Sequence, residues 1–138
     1  MTRAARLASL VGLPFAALFA ESLTTWDGVY SHEQAQRGAE LYQKQCASCH
    51  KASLAGSTVN PALAGDEFRD NWTGQPLASL FEKIQTSMPA DHPGTLDRDE
   101  TAAVTAYLLS KNDFPEGKAA LSGDPDKLKQ IRFEAKRP

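Results

Sequence analysis

Two cysteines and a histidine fall within one five-residue stretch, Cys46-Ala-Ser-Cys49-His50, and the 138-residue chain has no other cysteine. A cluster this dense restricts the local fold, because side chains that act together must face one side of the backbone. Taken alone, the spacing is also compatible with a thiol redox pair, part of a zinc site or a structural disulfide. The sequence around the cluster separates these possibilities.

The apolar residues keep helical rather than alternating spacing wherever they keep any, which predicts an all-α fold with three to four helices. Ser31 with Gln34 fits a capping box at the start of a first helix that runs into the cysteines. Pro76 suits the first position of a second helix, and Asp97 with Glu100 begins a third.

Residues 52–75 are rich in Gly, Ser, Asn, Asp and Pro, and they predict no element longer than a turn. An irregular stretch of this length is unusual in a compact domain unless it wraps around something that is not protein. The apolar stripe that follows predicts a core-facing helix and consists of Leu77, Leu80, Phe81, Ile84 and Met88. Residues 117–133 are interpreted as an extra segment beyond the main helices, with a short helix that lies on the surface.

Cys-x-x-Cys-His is the attachment signature of a c-type haem. The two thiols form thioether bonds to the vinyl groups on one edge of the porphyrin, and the adjacent imidazole binds the iron. Cys46 and Cys49 are therefore predicted to anchor one covalent haem c, with His50 as its proximal ligand.

Each competing interpretation of the cysteines is disfavoured by the rest of the sequence. A thioredoxin-like pair needs a preceding strand, and no convincing strand precedes Cys46. A zinc site needs two further ligands, and His32 and His92 are the only other histidines. A disulfide between residues three apart would not require His50.

Met88 is the predicted distal ligand, because it would be the only methionine of the mature chain and Pro89 turns the backbone into a loop after it. Methionine paired with histidine is a ligand set of cytochromes c. Two alternatives stay open: Met88 is only the last core residue of its stripe, or His92 is the sixth ligand.

The first twenty residues have the pattern of a secretory signal peptide, since Arg3 and Arg6 precede an uncharged run from Leu7 to Ala20. This pattern predicts export to the periplasm, with cleavage after Ala20. The run has 14 residues, fewer than the roughly 18–20 that a helix needs to cross a bilayer. The alternative is an uncleaved membrane anchor, the only case in which we expect a membrane contact.

Composition supports one soluble domain, with 41% hydrophobic and 23% charged residues. Cleavage would change the net charge from −2 to −4, leaving 13 basic against 17 acidic residues, so nothing suggests a nucleic-acid partner. The basic residues that do cluster predict a solvated tail, with partner docking as the alternative; they are Lys127, Lys129, Arg132, Lys136 and Arg137.

From about Trp26 to Pro115 the chain resembles class I cytochrome c. The residues that carry the resemblance are Gly38 and Tyr42 before the Cys46–His50 motif, Pro61 in NPALAG, Ser87-Met88-Pro89, and Tyr107 in AYLLS. The resemblance implies that Gly38 and Tyr42 lie where the first helix crosses the last, with Tyr107 packed into the crossing. It also implies that the carbonyl of Pro61 accepts a hydrogen bond from the proximal imidazole.

A narrower resemblance is to the cytochrome c modules that accompany quinoprotein (PQQ-dependent) dehydrogenases, on WDGVYSHEQAQRGAELYQKQCASCH, LAGDEFRDNW and SMPADHPGTL. It implies a non-enzymatic carrier of single electrons between a periplasmic dehydrogenase and another cytochrome or an oxidase. The alternatives are a permanent subunit of a dehydrogenase complex, and a haem enzyme or sensor whose sixth ligand is displaced.

The corresponding organisation is a signal peptide at 1–20, an N-terminal extension at 21–30, a cytochrome c domain at 31–115 and a C-terminal extension at 116–138. Trp72 is a further candidate, because its indole N–H could donate a hydrogen bond to a haem propionate.

Overall fold

The computed structural model describes residues 22–138, so the predicted signal segment lies outside the described residues. The elements of this range, in chain order, are β1 (Leu23–Thr24), α1 (His32–Gln45), α2 (Ala47–His50), α3 (Asp66–Trp72), α4 (Leu77–Ser87), α5 (Arg98–Lys111), α6 (Pro125–Leu128) and β2 (Ile131–Arg132). The all-α prediction is confirmed. The six helices of this range exceed the predicted three to four, because the single turn α2 and the helix α3 were not predicted.

Helices α1 and α5 form the closest helix pair of the fold. A side chain at Gly38 would overlap the carbonyl of Ala103, so only glycine lets the two backbones approach this closely. One turn later, the rings of Tyr42 and Tyr107 lie 5.2 Å apart between centroids. The crossing therefore has the residues that the resemblance implied.

The predicted caps are largely confirmed. Asp97 and Glu100 form a capping box at the start of α5, with each side chain bonded to the other's backbone N–H. Ser31 accepts a hydrogen bond from the backbone N–H of Gln34 at 3.3 Å, but the second half of the predicted box is wrong. The Gln34 amide instead bonds both the N–H and the C=O of Leu121, which attaches the C-terminal segment to α1.

The prediction of no helix within residues 52–75 is wrong, because α3 lies there. Its first turn carries Asp66 and Glu67, which suit the positive end of a helix. Phe68 is buried, and Trp72 packs one turn later on the same side. Polar residues at both ends hide this helix in the sequence, and tertiary packing of two aromatic rings stabilises it.

The segment after α5 contributes to the core. The predicted short helix exists as α6, but the core also buries Leu121, Leu128, Ile131 and Phe133. Strand β2 pairs in parallel with β1, and the Phe133 ring packs edge-on against Phe114 at 5.1 Å. The basic side chains of this segment are exposed, as predicted.

The domain boundaries at 30/31 and 115/116 stay a prediction. Both flanking segments pack on the helices. Within residues 22–138, no helix has the length and apolar character of a membrane span.

Candidate haem-binding site

One cavity of about 520 Å³ lies between the cysteine segment, the loop after it, α3, α4 and α5. The residues predicted to anchor the haem, to bind its iron as His50 and Met88, or to hydrogen-bond the proximal imidazole or a propionate lie on its wall: Cys46, Cys49, His50, Pro61, Trp72 and Met88. The volume is within the range of small-molecule and cofactor pockets, roughly 300–1,000 Å³.

Most of the cavity wall is apolar. The pattern of apolar residues in the sequence predicts seven wall residues, namely Leu54, Leu63, Phe68, Leu80, Phe81, Ile84 and Leu108. Five of them line the cavity: Leu63, Phe68, Leu80, Ile84 and Leu108. Leu54 and Phe81 are buried in the core instead. Tyr42 and Val104 also line the cavity and were not predicted as wall residues.

The cysteines are positioned by the end of α1. Cys46 caps that helix by donating its N–H to the carbonyl of Tyr42, and the single turn α2 then carries Cys49 and His50. The N–H of His50 bonds the carbonyl of Cys46 at 2.9 Å, so this turn places all three side chains at one end of the cavity.

Both cysteines are free thiols, with Cys46 half-buried and Cys49 exposed. Burial, reinforced by the neighbouring Cys49, raises the pKa of the Cys46 thiol to about 11. A reactive redox pair needs a lowered thiol pKa, so this environment disfavours the thioredoxin-like interpretation. Thiols that face an apolar cavity fit covalent attachment of a group inside it.

The orientation of His50 is set by a hydrogen bond. Its side chain is buried, and Nδ1 lies 2.8 Å from the carbonyl oxygen of Pro61. A carbonyl can only accept, so Nδ1 is the donor, and in the neutral imidazole this tautomer has the lone pair on Nε2. An imidazole in this tautomer is suited to bind a metal through Nε2.

Met88 and His92, the two candidates for the sixth ligand, lie in different surroundings. Met88 caps the end of α4, is half-buried and lines the cavity. The side chain of His92 is 74% exposed, lies 3.2 Å from the carboxylate of Asp91 and does not line the cavity. His32 is likewise exposed, beside Glu116.

Asn112 is a supporting residue to which the sequence analysis assigns no role. Its side chain is fully buried and donates to the carbonyls of Leu63 and Leu108, at 3.0 and 2.8 Å. It also accepts from the N–H of Gly65 at 3.1 Å. Asn112 thus attaches the loop that carries Pro61 to the end of α5. A polar residue at a helix end gives no sequence signal of such a role.

Comparison with known families identifies the chain. The protein-family model described as cytochrome c oxidase, cbb3-type, subunit III matches residues 33–108, more than half of the chain. The chain belongs to this family of c-type cytochromes. The cytochrome is 33% identical to the cbb3-type cytochrome c oxidase subunit CcoP of Azospirillum sp. (strain B510), over 70% of this chain and 36% of that protein. It therefore spans about a third of the length of that relative.

Among solved structures, the cytochrome is similar to a chain of the sulfane dehydrogenase SoxCD from Paracoccus pantotrophus. The TM-score is 0.56 at 26% identity, over 90% of this chain and 68% of that one. Together with the family match, this likeness establishes a class I cytochrome c fold, a covalent haem c and a function in electron transfer.

The residues present fit such a group. The cavity offers two free thiols, an imidazole with a free Nε2 lone pair, a thioether and apolar walls. Haem c, when bound, supplies one-electron exchange between ferric and ferrous iron.

Proposed function

We propose that this cytochrome is a periplasmic carrier that moves single electrons from a dehydrogenase to another cytochrome or a terminal oxidase. The observation that carries the proposal is that His50 and Met88 line one cavity together with both cysteine thiols. Export rests on the signal-peptide pattern of residues 1–20.

In this proposal Cys46 and Cys49 hold the haem covalently, His50 is the proximal ligand and Met88 the distal ligand. With both His50 and Met88 bound to the iron, no ligand position would remain for a substrate, and the haem would supply one-electron transfer between proteins without bond making. The apolar walls keep water from the site, and the bond between His50 and Pro61 holds the imidazole in one orientation.

Trp72 is proposed as a donor to a haem propionate. It lies on the cavity wall beside Asn71 and Gln75, and no hydrogen bond between the described residues uses its indole N–H. A donor without a protein partner at the edge of a cavity suits an anionic group on the occupant.

A dehydrogenase is the proposed electron donor for two reasons. The solved chain that is similar to this cytochrome belongs to a sulfane dehydrogenase, and the sequence resembles the modules that accompany quinoprotein dehydrogenases. A cytochrome or oxidase is the proposed acceptor, because the curated relative is an oxidase subunit.

The first experiment is an optical and gel analysis of protein from a host that exports and attaches haem. We expect one haem that stays with the polypeptide on a denaturing gel, sharp c-type bands when reduced, and the weak charge-transfer band of methionine-ligated ferric haem. Covalent haem without that band would overturn Met88 ligation and favour either His92 as the sixth ligand or an open site, as in a haem enzyme or sensor. Protein without covalent haem would overturn the site.

A permanent subunit of a redox complex is the second candidate. It is favoured by the names of both similar proteins, an oxidase subunit and a dehydrogenase. The native protein, followed by its haem through size separation of a periplasmic extract, distinguishes the two. A carrier migrates at the size of the single chain, and a subunit migrates with a larger complex.

A further inference from the structure

Tyr42 bonds to both ends of the cysteine and histidine segment. It lies on α1 with no exposed surface. Its backbone carbonyl accepts the N–H of Cys46 at 2.9 Å, and its hydroxyl donates to the carbonyl of Lys51 at 2.7 Å. One residue therefore fixes the backbone immediately before and immediately after the segment that carries His50.

Lys51 has a backbone conformation that needs such support. Its φ is +64° and its ψ is 153°, close to a region occupied almost only by glycine. Its carbonyl accepts a second hydrogen bond, from the N–H of Leu54 at 3.0 Å. A lysine adopts this conformation only where the surrounding structure holds it. These two bonds hold the carbonyl of Lys51, and the N–H of Gly56 holds the preceding carbonyl, that of His50, at 3.1 Å.

The Tyr42 ring is itself held firmly. It packs against Tyr107 with centroids 5.2 Å apart, where Gly38 brings α1 close to α5. Burial raises the pKa of Tyr42 to about 12, so the hydroxyl keeps its proton and remains a donor at neutral pH. The hydroxyl is thus a fixed point from which the chain after His50 is positioned.

We propose that Tyr42 is a positioning residue for His50: its hydroxyl, by holding the Lys51 carbonyl, fixes the backbone from which the imidazole projects. This inference rests on the proposed function, because it takes His50 as the proximal ligand. The imidazole then has two independent constraints, one on its ring from Pro61 and one on its backbone from Tyr42.

The test compares Tyr42→Phe with Tyr107→Phe in the haem-loaded protein. Both remove one hydroxyl from neighbouring buried rings, but only that of Tyr42 bonds the chain after His50. The readouts are the electron paramagnetic resonance spectrum of the ferric protein, which reports the orientation of the axial ligands, and the reduction potential. We expect Tyr42→Phe to broaden the spectrum and shift the potential, while Tyr107→Phe leaves both as in the parent.

Lys51→Gly provides a rescue. Glycine adopts the required φ without support, so it should restore a narrow spectrum in the Tyr42→Phe background. If too little of the Tyr42→Phe protein accumulates, the protein with both Tyr42→Phe and Lys51→Gly is compared with the protein that has Lys51→Gly alone. If the spectrum and potential of Tyr42→Phe equal those of the parent, the positioning role of Tyr42 is overturned, but the proposed haem site is not. Absence of low-spin covalent haem in the parent would instead overturn the proposed function.

Discussion

Nδ1 of His50 and the carbonyl oxygen of Pro61 are 2.8 Å apart, although Pro61 follows 11 residues later in an irregular loop. The loop is itself fixed, since the N–H of Leu63 bonds the carbonyl of Leu54 and Asn112 bonds the carbonyl of Leu63. The orientation of the imidazole therefore depends on a chain of contacts that ends on α5.

Replacement of Met88 by alanine should leave the haem attached but open its sixth position. We expect a lower reduction potential, because the thioether stabilises ferrous iron, and binding of added ligands such as imidazole or carbon monoxide. Potentiometry and ligand titration measure both effects. His92→Ala is the matched control and should resemble the parent; an unchanged Met88→Ala protein would exclude Met88 as a ligand.

Replacement of Cys46 by serine should remove one thioether bond and weaken covalent attachment. Haem staining after a denaturing gel measures the attached fraction, which we expect to fall strongly. Ser48→Ala, inside the same turn but without a thiol, should keep the haem of the parent. Full retention by Cys46→Ser would contradict the assigned anchor.

Asn112→Ala should destabilise the protein by roughly 2–4 kcal/mol, because it leaves two carbonyls and an N–H buried without their partner. The free energy of unfolding from denaturant titration gives the value. Asn71→Ala, at an exposed position on α3, is the control and should change stability little. A loss no larger than that of the control would mean that the loop does not depend on Asn112.

Phe133→Ala tests whether the C-terminal segment supports the site. The ring packs on Phe68, a wall residue, with centroids 6.1 Å apart, and is 1% exposed. We expect a loss of about 3–5 kcal/mol in the free energy of unfolding. Gln130→Ala, exposed beside the same strand, should lie within about 0.5 kcal/mol of the parent. If the C-terminal segment only covered the surface, both variants would lose little free energy of unfolding.

Val59→Glu should slow electron self-exchange between two copies. Val59 is 86% exposed at the edge of the cavity, and the charged wall residues among positions 22–138 are Lys83 and Asp91. A carboxylate on both copies adds repulsion, so we expect a several-fold lower rate at low salt that recovers as salt is added. Nuclear magnetic resonance line broadening measures the rate. Leu23→Glu, at an exposed position outside the cavity, controls for the change in net charge. Equal slowing by the two variants would indicate that the two copies do not meet through the surface around Val59.

The sequence predicts the chemistry of the site better than its supporting contacts. Cys46, Cys49, His50 and Met88 can be recognised because haem attachment and ligation require those side chains at defined places in the chain. All four line one cavity. The contributions of Tyr42 and Asn112 could not be predicted from residues alone, since their partners are backbone carbonyls that the sequence does not distinguish.

The same distinction holds for the fold. The start of α5 could be predicted, because Asp97 and Glu100 form a local capping box. Helix α3 could not, since it depends on Phe68 meeting Phe133 from the far end of the chain. Gln34 shows the same effect, because its expected local bond is replaced by a pair of bonds to Leu121.

The close approach of Gly38 to Ala103 also bears on how the chain assembles. The two residues are far apart in sequence, and the loop between them contains the cysteines, Pro61 and Met88. Closing so long a loop costs conformational entropy before any non-local contact compensates for it. A fold with such contacts is expected to form more slowly than a helical bundle with local ones. We therefore expect the closing of this loop to slow the folding of the chain as a whole.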